Sequence, residues 1–352
     1  MEAGNSAGET IGSLGEFGLI RALAARMPAG PATSLGIGDD SAVVGTPSGS
    51  VAAAVDMVIE GRHFRREWSS GTDVGVKAAA RSLADIAAMG AKPTALLVAL
   101  AAPGSLPAAW ALELADGLAQ EASRAGAGIV GGDTASARFV VLSVTALGDL
   151  AGVSPVLRSG ARPGDMVAVA GTLGRSAAGL ALLTAGVGLT AGVGLTAGAG
   201  LTAGAADLGP LVEAHLRPAP PYEAGPEAAR LGATAMIDVS DGLLADLRHV
   251  AHASGVTIGI SSGRLASFAD DSLEKAAKTL SSRTPSGNSS PLPWILSGGE
   301  DHALVATFPR SAELPAHWRV IGEVQAADAG SPGNITVDGR SWNGERGWEH
   351  FR

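Results

Sequence analysis

The stretch Asp73–Ala101, DVGVKAAARSLADIAAMGAKPTALLVALA, contains the pattern that decides the fold. Its first part repeats apolar residues at helical spacing and stops at Gly90, which predicts a helix over 73–89. A short apolar run bounded by prolines follows and predicts a buried strand over 94–101. A helix that leads directly into a buried strand indicates a sheet with helices packed against it.

The same two patterns recur on both sides of this stretch. Helical spacing predicts further helices over 15–27, 108–125, 176–183 and 243–253. Short apolar runs predict further strands over 50–55, 139–147, 166–170, 233–237, 303–308, 319–324 and 335–337. Strands that alternate with helices favour an α/β fold built of mixed α+β layers.

The length of 352 residues exceeds one ordinary core, so two domains are expected. Repeated turns over 152–164 place the domain boundary there. The sequence therefore predicts a mobile tail over 1–13, an N-terminal domain over 14–152 and a C-terminal domain over 153–352.

Two segments interrupt the pattern of helices and strands. Residues 184–204 repeat a six-residue unit, TAGVGL, and lie in an uncharged run over 176–206 that is long enough to cross a bilayer. Glycine weakens a helix by about 1 kcal/mol per position, and a period of six does not hold one helical face. We therefore interpret 184–204 as a flexible insertion, rather than as ordered local structure or a membrane contact. The Ser/Pro/Asn-rich residues 281–291 predict a second loop.

The composition excludes several classes of protein. Hydrophobic residues make up 46% of the chain and charged residues 17%, with a net charge of −9, which disfavours both global disorder and nucleic-acid binding. The chain has no cysteine, so disulfides, thiol catalysis and thiolate zinc sites are excluded. The first ten residues show no basic region before an apolar run, so we expect no signal peptide and a cytoplasmic protein.

Aspartates lie in glycine-rich turns, near the ends of predicted strands and, once, inside a predicted helix. They are Asp39, Asp40, Asp56, Asp85, Asp133, Asp238 and Asp241. Asp56 ends a predicted strand, and Asp133 follows another, whose apolar run is at 128–130. Ligands of open α/β layers bind at the carboxyl ends of strands, so these carboxylates are expected to converge. Converging carboxylates repel each other unless cations neutralise them, and Mg²⁺ with nucleotide phosphates is the usual case. Neighbouring glycines would let backbone amides approach the phosphate oxygens.

Each carboxylate also has a purely structural interpretation. Asp85 could pair with Arg81 on its helix face, and Asp238 or Asp241 could cap the helix that follows. The others could hold turns beside glycines: Asp39, Asp40 and Asp133. It is the recurrence of the pattern at several strand ends that favours a common site.

Other phosphate-site and metal-site motifs are missing from the sequence. It contains no GxxxxGK[ST], no His-Arg-Asp catalytic loop and no HExxH, and the turn Gly171-Thr-Leu-Gly174, which follows a predicted strand, lacks the full GxGxxG. A P-loop enzyme, a protein kinase, a nicotinamide-dependent enzyme and a zinc hydrolase of the HExxH type are therefore disfavoured.

An ordered series of motifs resembles the thiamine-monophosphate kinase family, from about Gly15 to Phe351. The motifs are Gly15-Glu-Phe-Gly-Leu-Ile20, Gly36-Ile-Gly-Asp-Asp40, Asp56-Met-Val-Ile-Glu-Gly-Arg-His-Phe64, Ser82-Leu-Ala-Asp-Ile-Ala-Ala-Met-Gly90, Gly131-Gly-Asp-Thr134, Arg158-Ser-Gly-Ala-Arg-Pro-Gly-Asp165, His215-Leu-Arg-Pro218, Ile237-Asp-Val-Ser-Asp-Gly242, Ser297-Gly-Gly-Glu-Asp301 and Trp348-Glu-His-Phe351. The family belongs to the aminoimidazole ribonucleotide synthetase-like superfamily. The resemblance implies two α/β domains, the first of which contributes strands to a homodimer interface.

The resemblance also implies a reaction and a set of site residues. ATP would phosphorylate thiamine monophosphate to thiamine diphosphate, with several Mg²⁺ ions and no membrane or nucleic-acid partner. The positions that match the family's metal ligands are Asp40, Asp56, Asp85, Asp133, Asp238 and Asp241. Those that match ATP contacts are Gly132, Asp133, Arg158 and Ser240. Those that match substrate contacts are His63, Glu300 and Trp348, which could instead be a loop histidine, a turn carboxylate and a core tryptophan.

The sequence departs from the family pattern at a few positions. Ala54 and Val55 stand where Ser or Thr is usual, Tyr222 stands where arginine is common, and the TAG repeat is foreign to the family. Two other functions stay open: another ATP-using enzyme of the superfamily with a different small substrate, and a catalytically silent nucleotide-binding protein.

Overall fold

The structure is a computed structural model that describes residues 9–37, 41–187, 206–282, 289–327, 333–342 and 347–348. Asp39, Asp40, most of the TAG repeat and part of the loop predicted over 281–291 lie outside these residues. The described residues divide into two compact units. Those of Met1–Ile86 and Lys92–Gly152 form the first unit, and those of Ala87–Ala91, Val153–Leu189 and Leu201–Arg352 form the second.

The first unit is built around a four-stranded sheet in the order β3-β6-β4-β5. Its strands are β3 (Val51–Ile59), β4 (Lys92–Ala102), β5 (Gly128–Ser136) and β6 (Val141–Asp149). The β4–β5 pair is parallel and the other two pairs are antiparallel. Two short strands, β1 (Thr33–Leu35) and β2 (Val43–Val44), form a separate antiparallel pair.

Burial alternates along the strands of this sheet, so it has one covered and one open face. In β6 every second residue is buried, from Leu142 to Gly148. In β3 the alternation leaves Val51, Val55 and Met57 exposed on the other face. This period of two is the one expected for a sheet with a single packed face.

The first helix, α1 (Ile11–Ala24), begins inside the segment predicted as a mobile tail over 1–13, of which residues 1–8 lie outside the described residues. Thr10 and Ser13 form a reciprocal capping box, in which each side chain accepts from the other's backbone N–H. The cap satisfies orphan amides at the helix start, so residues 10–13 are ordered. Gly15 interrupts the helix with a φ of +67°, a conformation that glycine adopts without strain.

Two longer helices, α2 (Gly71–Ala88) and α3 (Ala108–Arg124), approach each other closely in the first unit. A Cβ added to Gly75 would lie 2.2 Å from the Leu114 carbonyl oxygen, and one added to Gly117 would lie 2.2 Å from that of Thr72. Only glycine, whose side chain is a single hydrogen atom, fits where the two backbones meet. These glycines therefore set the helix separation.

The second unit is built around a six-stranded sheet in the order β12-β9-β11-β7-β10-β8. Its strands are β7 (Met166–Ala170), β8 (Ala235–Val239), β9 (Val256–Ile260), β10 (Ala303–Phe308), β11 (Trp318–Ala326) and β12 (Asn334–Val337). The β12–β9 pair is parallel, and the other neighbours are antiparallel. The helices of this unit are α4 (Arg175–Thr184), α5 (Gly209–Leu216), α6 (Ala224–Arg230), α7 (Leu243–Ser254), α8 (Ser262–Leu265), α9 (Asp271–Ser281) and α10 (Leu292–Ser297). Apolar residues of the strands share one buried core with those of α7, α8 and α10.

Mixed helices and sheets confirm the predicted fold class, although both sheets are mainly antiparallel. Every helix and strand predicted from the sequence is present, with ends shifted by a few residues. Two details were wrong: Asp56 does not end a strand and Asp133 does not follow one, because β3 runs to Ile59 and β5 to Ser136. Strand pairing extends both strands past the apolar runs that predicted them.

The glycine contact between α2 and α3 generates a stability prediction. Gly75→Ala would force a methyl group against the α3 backbone, and overpacking of this kind costs about 1–3 kcal/mol. We expect the free energy of unfolding in urea to fall by that amount. Gly18→Ala in α1 is the matched control, because its Cβ would meet only the Leu14 Cβ at 3.5 Å. Equal stability of the two variants would contradict the assigned packing.

Candidate functional site

Asp56 lies on the covered face of the first unit's sheet, beside helix α2. Its Oδ1 lies 3.8 Å from Arg81 Nη2, and its Oδ2 is buried and accepts no hydrogen bond from any described residue. Arg81 is itself mostly buried, so the pair is weakly screened by solvent. A buried carboxylate oxygen that lacks a donor is the type of atom that binds a hard cation.

Helix α2 positions a second predicted carboxylate, Asp85, one turn beyond Arg81. Most of the side chains around it are small and buried, so the helix packs close to the sheet. Ser82 Oγ donates to the Val144 carbonyl oxygen at 3.0 Å, which fixes the helix against β6. Asp85 is only half-buried, as a ligand-binding carboxylate would be.

The register of the sheet places Asp133 on the opposite face from Asp56. Asp56 pairs with Val144, Val144 with Val98, and Val98 with Gly132, so these four share one face. Asp133 is the next residue, is exposed, and accepts from the Thr134 N–H through Oδ1. The structure therefore does not bring the Asp133 carboxylate onto the covered face with Asp56.

Position 132 requires glycine because the backbone of the neighbouring strand β4 lies very close to it. A Cβ at this position would lie 1.9 Å from the Val98 carbonyl oxygen. Residues Gly131–Thr134 also line an apolar cavity of about 130 Å³, together with side chains of α1 and α3. The cavity has room for one flat ring system and opens beside the glycine pair.

His63 lies in the loop between β3 and α2. Its Nδ1 accepts from the Ile59 N–H at 3.0 Å, so the neutral ring carries its proton on Nε2. The buried Lys77 of α2 donates to the His63 carbonyl oxygen at 3.4 Å. Hydrogen bonds to β3 and to α2 thus fix this loop, and the donor nitrogen of the ring is Nε2.

In the second unit, Asp238 is buried near the end of β8. His302 Nδ1 lies 3.1 Å from Asp238 Oδ2, and both side chains are at least 94% buried. An ionised carboxylate only accepts hydrogen bonds, so the ring nitrogen is the donor. His302 Nε2 is buried and has no hydrogen-bond partner among the described residues.

Asp246 holds the turn that carries Asp241. Its Oδ2 accepts from the N–H groups of Asp241 and Gly242, both at 3.0 Å. Burial raises the pKa of Asp246 well above the usual range, and the charges of Asp238 and Asp241 raise it further. The N-cap residue of α7 is Gly242, which has no side chain, and its N–H group donates to the Asp246 carboxylate.

Asp301 binds the start of α4. Its two oxygens accept from Gly174 N at 2.7 Å and Ser176 N at 3.0 Å. A carboxylate at a helix N-terminus meets unpaired N–H groups and the positive end of the helix dipole. Burial nevertheless raises the pKa of Asp301 to about 7.

The loop before Asp301 packs tightly against the turn at Ser240. The Glu300 N–H donates to the Ser240 carbonyl oxygen at 2.8 Å, and a Cβ on Gly299 would lie 2.4 Å from that oxygen. Glu300 and His302 both have positive φ, +67° and +51°, which is rare for residues with side chains. Strain of this kind concentrates at functional sites.

Two further predicted residues of the second unit are exposed. The Trp348 N–H donates to the Asp241 carbonyl oxygen at 3.0 Å, and its side chain is 57% exposed rather than part of the core. Arg158 is exposed as well, and Ser254 Oγ donates to its carbonyl oxygen. Both side chains are therefore accessible to a ligand.

Asp246, Asp301 and His302 were missed as functional residues by the sequence analysis. In the sequence, Asp301 is only the last residue of the Ser297-Gly-Gly-Glu-Asp301 motif. Asp246 lies inside a predicted helix, four residues after Gly242. A carboxylate four residues after a turn glycine is a detectable signal for Asp246. Nothing local to the sequence links His302 to Asp238, which meet through the pairing of β10 with β8.

No three His, Asp or Glu side chains of the described residues are grouped closely enough to hold a metal ion. Of the helices in the described ranges, none combines the length and hydropathy that a membrane span requires.

The pKa of Asp301 predicts a pH dependence of stability. In the folded chain the pKa of Asp301 is about 7, which exceeds the ordinary 3.8. The stability that its protonated carboxyl group contributes is therefore fully present below about pH 4. That contribution is lost as the pH rises through 7, with a slope of up to about 1.4 kcal/mol per pH unit. We expect the stability of the parent chain minus that of Asp301→Asn, from urea unfolding, to decrease between about pH 5 and pH 8. A constant difference would contradict the assignment.

Comparisons with known proteins identify the family. The family model for AIR synthase related protein, N-terminal domain, matches residues 38–150. Thiamine-monophosphate kinase of Mycobacterium tuberculosis strain H37Rv is 49% identical over 343 residues, which is 97% of this chain and 93% of the relative.

Solved structures agree with the sequence comparison. The crystal structure of thiamine-monophosphate kinase from Stenotrophomonas maltophilia K279a has a TM-score of 0.72 and 29% identity, and the match covers 92% of this chain and 95% of that one. A structure described as AaThiL complexed with AMPPCP and TMP has a TM-score of 0.72 and 31% identity, covering 96% and 97%. The predicted resemblance and two-domain fold are thus confirmed. The chain belongs to the thiamine-monophosphate kinase family, a family of phosphotransferases with the AIR synthase-like fold.

Proposed function

We propose that this chain transfers the γ-phosphoryl group of ATP to thiamine monophosphate and forms thiamine diphosphate and ADP. The observation that carries the proposal is its likeness over nearly the whole chain to a structure complexed with AMPPCP and TMP. AMPPCP is an ATP analogue that does not release its γ-phosphate, so that complex represents both substrates before transfer.

The acidic residues supply the ligands for Mg²⁺ in this proposal. They are Asp40, Asp56, Asp85 and Asp133 from the first half of the chain, and Asp238 and Asp241 from the second. Carboxylate oxygens are the ligand type that a hard cation prefers, and the buried Oδ2 of Asp56, which accepts no hydrogen bond from the described residues, supports this role. When bound, Mg²⁺ neutralises phosphate charge during phosphoryl transfer.

The nucleotide site is proposed at the glycine pair of β5. Gly132 and the exposed Asp133 would contact the phosphates there. The neighbouring cavity of about 130 Å³ is apolar and suits the purine base. In the second unit, Arg158 would supply a forked contact to the phosphates and Ser240 a hydroxyl group.

Three residues are proposed to contact thiamine monophosphate. The Nε2–H of His63 would donate to the substrate phosphate, a role supported by the Ile59 bond that fixes the ring's tautomer. Glu300 would accept from the aminopyrimidine. Trp348, with its exposed indole, would stack on a heteroaromatic ring.

We propose direct in-line transfer, in which an oxygen of the thiamine phosphate attacks the γ-phosphorus and the bond to the ADP oxygen breaks. The attacking oxygen is already ionised at neutral pH, so the chain needs no strong general base. Its residues contribute by positioning two anionic groups and by excluding water between them. A covalently phosphorylated form of the chain would contradict this mechanism.

A coupled ADP assay with ATP, Mg²⁺ and thiamine monophosphate tests the proposal. We expect ADP and thiamine diphosphate to form with the monophosphate and not with free thiamine. Asp56→Asn should lower kcat by about 10²–10³-fold, because it removes charge at the reacting phosphates. Asp133→Asn should also lower kcat by orders of magnitude.

Asp116→Asn is the matched control, since Asp116 lies on the surface of α3 in an ion pair with Arg26. It should leave kcat within about twofold, as surface pairs contribute little. A folded parent chain that makes ADP only with another small acceptor would overturn the substrate, and one with no turnover would indicate a silent binding protein.

We further propose that the first unit forms a homodimer through the open face of its sheet, while also binding metal and ATP. Val51, Val55 and Met57 of β3 are 49%, 62% and 52% exposed there, and Leu97 of β4 is 37% exposed. A sheet face this apolar is usually covered by another surface. A second copy of the chain would cover it, and the assembled enzyme would act in the cytoplasm.

Light scattering tests the dimer. The parent chain should show twice the chain mass of 34.7 kDa. The double variant Val55→Asp/Met57→Asp should show the mass of one chain, because it places charges on the open face. Val153→Asp, at a 41% exposed valine of the second unit, is the control and should stay dimeric. A single-chain mass for the parent chain would refute the dimer.

A further inference from the structure

A loop of the second unit, residues 157–161, carries Arg158, which is a proposed ATP contact. The Arg158 side chain is exposed. An exposed arginine has many accessible rotamers, so the average position of its guanidinium group depends on how firmly the backbone beneath it is held. The contacts made by the backbone of this loop therefore decide how well Arg158 is placed for a ligand.

The hydroxyl group of Ser254, the last residue of α7, bonds to this loop at three points. Ser254 Oγ accepts from the N–H groups of Gly160 at 3.1 Å and Ala161 at 3.2 Å, and it donates to the Arg158 carbonyl oxygen at 3.2 Å. A serine hydroxyl group has one hydrogen to donate and two lone pairs that accept. Ser254 therefore uses its whole hydrogen-bonding capacity on the residues around Arg158.

Strand β8 and the residue before it hold the same loop. The Met236 N–H donates to the Leu157 carbonyl oxygen at 3.0 Å. Gly160 has a φ of +130°, and a Cβ there would lie 2.3 Å from the Thr234 carbonyl oxygen, so only glycine fits. The loop backbone thus lies against β8, and the Ser254 hydroxyl group joins it to α7.

We propose that Ser254 is a positioning residue for ATP binding, whose hydroxyl group holds the loop so that Arg158 meets the nucleotide already ordered. This inference rests on the proposed function, which supplies the contact between Arg158 and ATP. Ordering a loop residue on binding costs conformational entropy, and a loop that is fixed beforehand avoids this cost. Ser254 thus acts on the nucleotide through Arg158 and contacts neither substrate.

Titration calorimetry with AMPPCP and Mg²⁺ tests this role without turnover. Ser254→Ala removes all three bonds, and alanine favours a helix, so α7 should persist. We expect the Kd for AMPPCP to rise about five- to tenfold, which corresponds to ordering one loop residue on binding. Arg158→Ala removes the contact itself and should raise the Kd at least about tenfold. Ser254→Thr keeps a hydroxyl group and should bind within about twofold of the parent chain.

A double-mutant cycle distinguishes positioning from a general loss of stability. If Ser254 acts through Arg158, then adding Ser254→Ala to the Arg158→Ala variant should change the Kd less than about twofold. Full additivity of the two changes would refute the inference, because it would mean that Ser254 affects binding independently of Arg158.

Two further variants control for the loss of a serine. Ser281 is also the last residue of a helix, α9, and its hydroxyl group donates to the Lys278 carbonyl oxygen at 3.0 Å. Ser281→Ala is therefore the matched control and should leave the Kd within about twofold of the parent value. Ser254→Cys keeps a side chain of similar size with a weak donor and acceptor. It should raise the Kd as Ser254→Ala does, and it replaces that variant if alanine prevents folding.

Steady-state kinetics separate this inference from the proposed function. In Ser254→Ala the KM for ATP should rise, while the KM for thiamine monophosphate stays within about twofold. An unchanged Kd in folded Ser254→Ala, beside a raised Kd in Arg158→Ala, would refute the positioning role and leave the proposed function intact. The parent Kd in Arg158→Ala would refute the ATP contact and the inference with it. A parent chain that binds AMPPCP but forms no ADP would refute the proposed function, and the calorimetric cycle would still decide the role of Ser254.

Discussion

Repulsion between buried carboxyl groups is the constraint on which the second unit depends. Asp238, Asp241 and Asp246 lie around one strand-to-helix turn, and the first two raise the pKa of the third. Such a group of charges is costly in a protein interior unless each one is paired or solvated. The fold meets this cost with N–H donors: two backbone amides bind Asp246, and a histidine ring binds Asp238.

The same constraint shapes the backbone around the turn. Amides can reach Asp246 and Asp301 only if the loops come close, and glycines at 242, 298 and 299 allow that approach. Asp301 then orders the start of α4, while Glu300 and His302 adopt positive φ to place their side chains. The tight glycines are therefore a consequence of pairing buried carboxyl groups with backbone amides.

Much of the fold could be predicted from the sequence because each strand or helix has its own periodicity. The strands β7 and β10 end where their apolar runs end. The site could be predicted less well, since it depends on register. Asp133 lies one residue past Gly132, and that single step moves its side chain to the other sheet face. His302 meets Asp238 through a strand pairing between residues 64 apart in the chain, which no local pattern reveals.

The acidic composition and the two substrates together decide the kind of catalysis this chain can perform. The chain has a net charge of −9 and four lysines, of which Lys77 is buried and bonded to a backbone carbonyl. Converging aspartates would repel two anionic substrates, so in our proposal the positive charge near the phosphates comes from Mg²⁺ held by aspartates. The protein's own contribution is then geometric. In that proposal His63, with its fixed tautomer, would help to position the phosphates, because orientation is what remains once charge is neutralised.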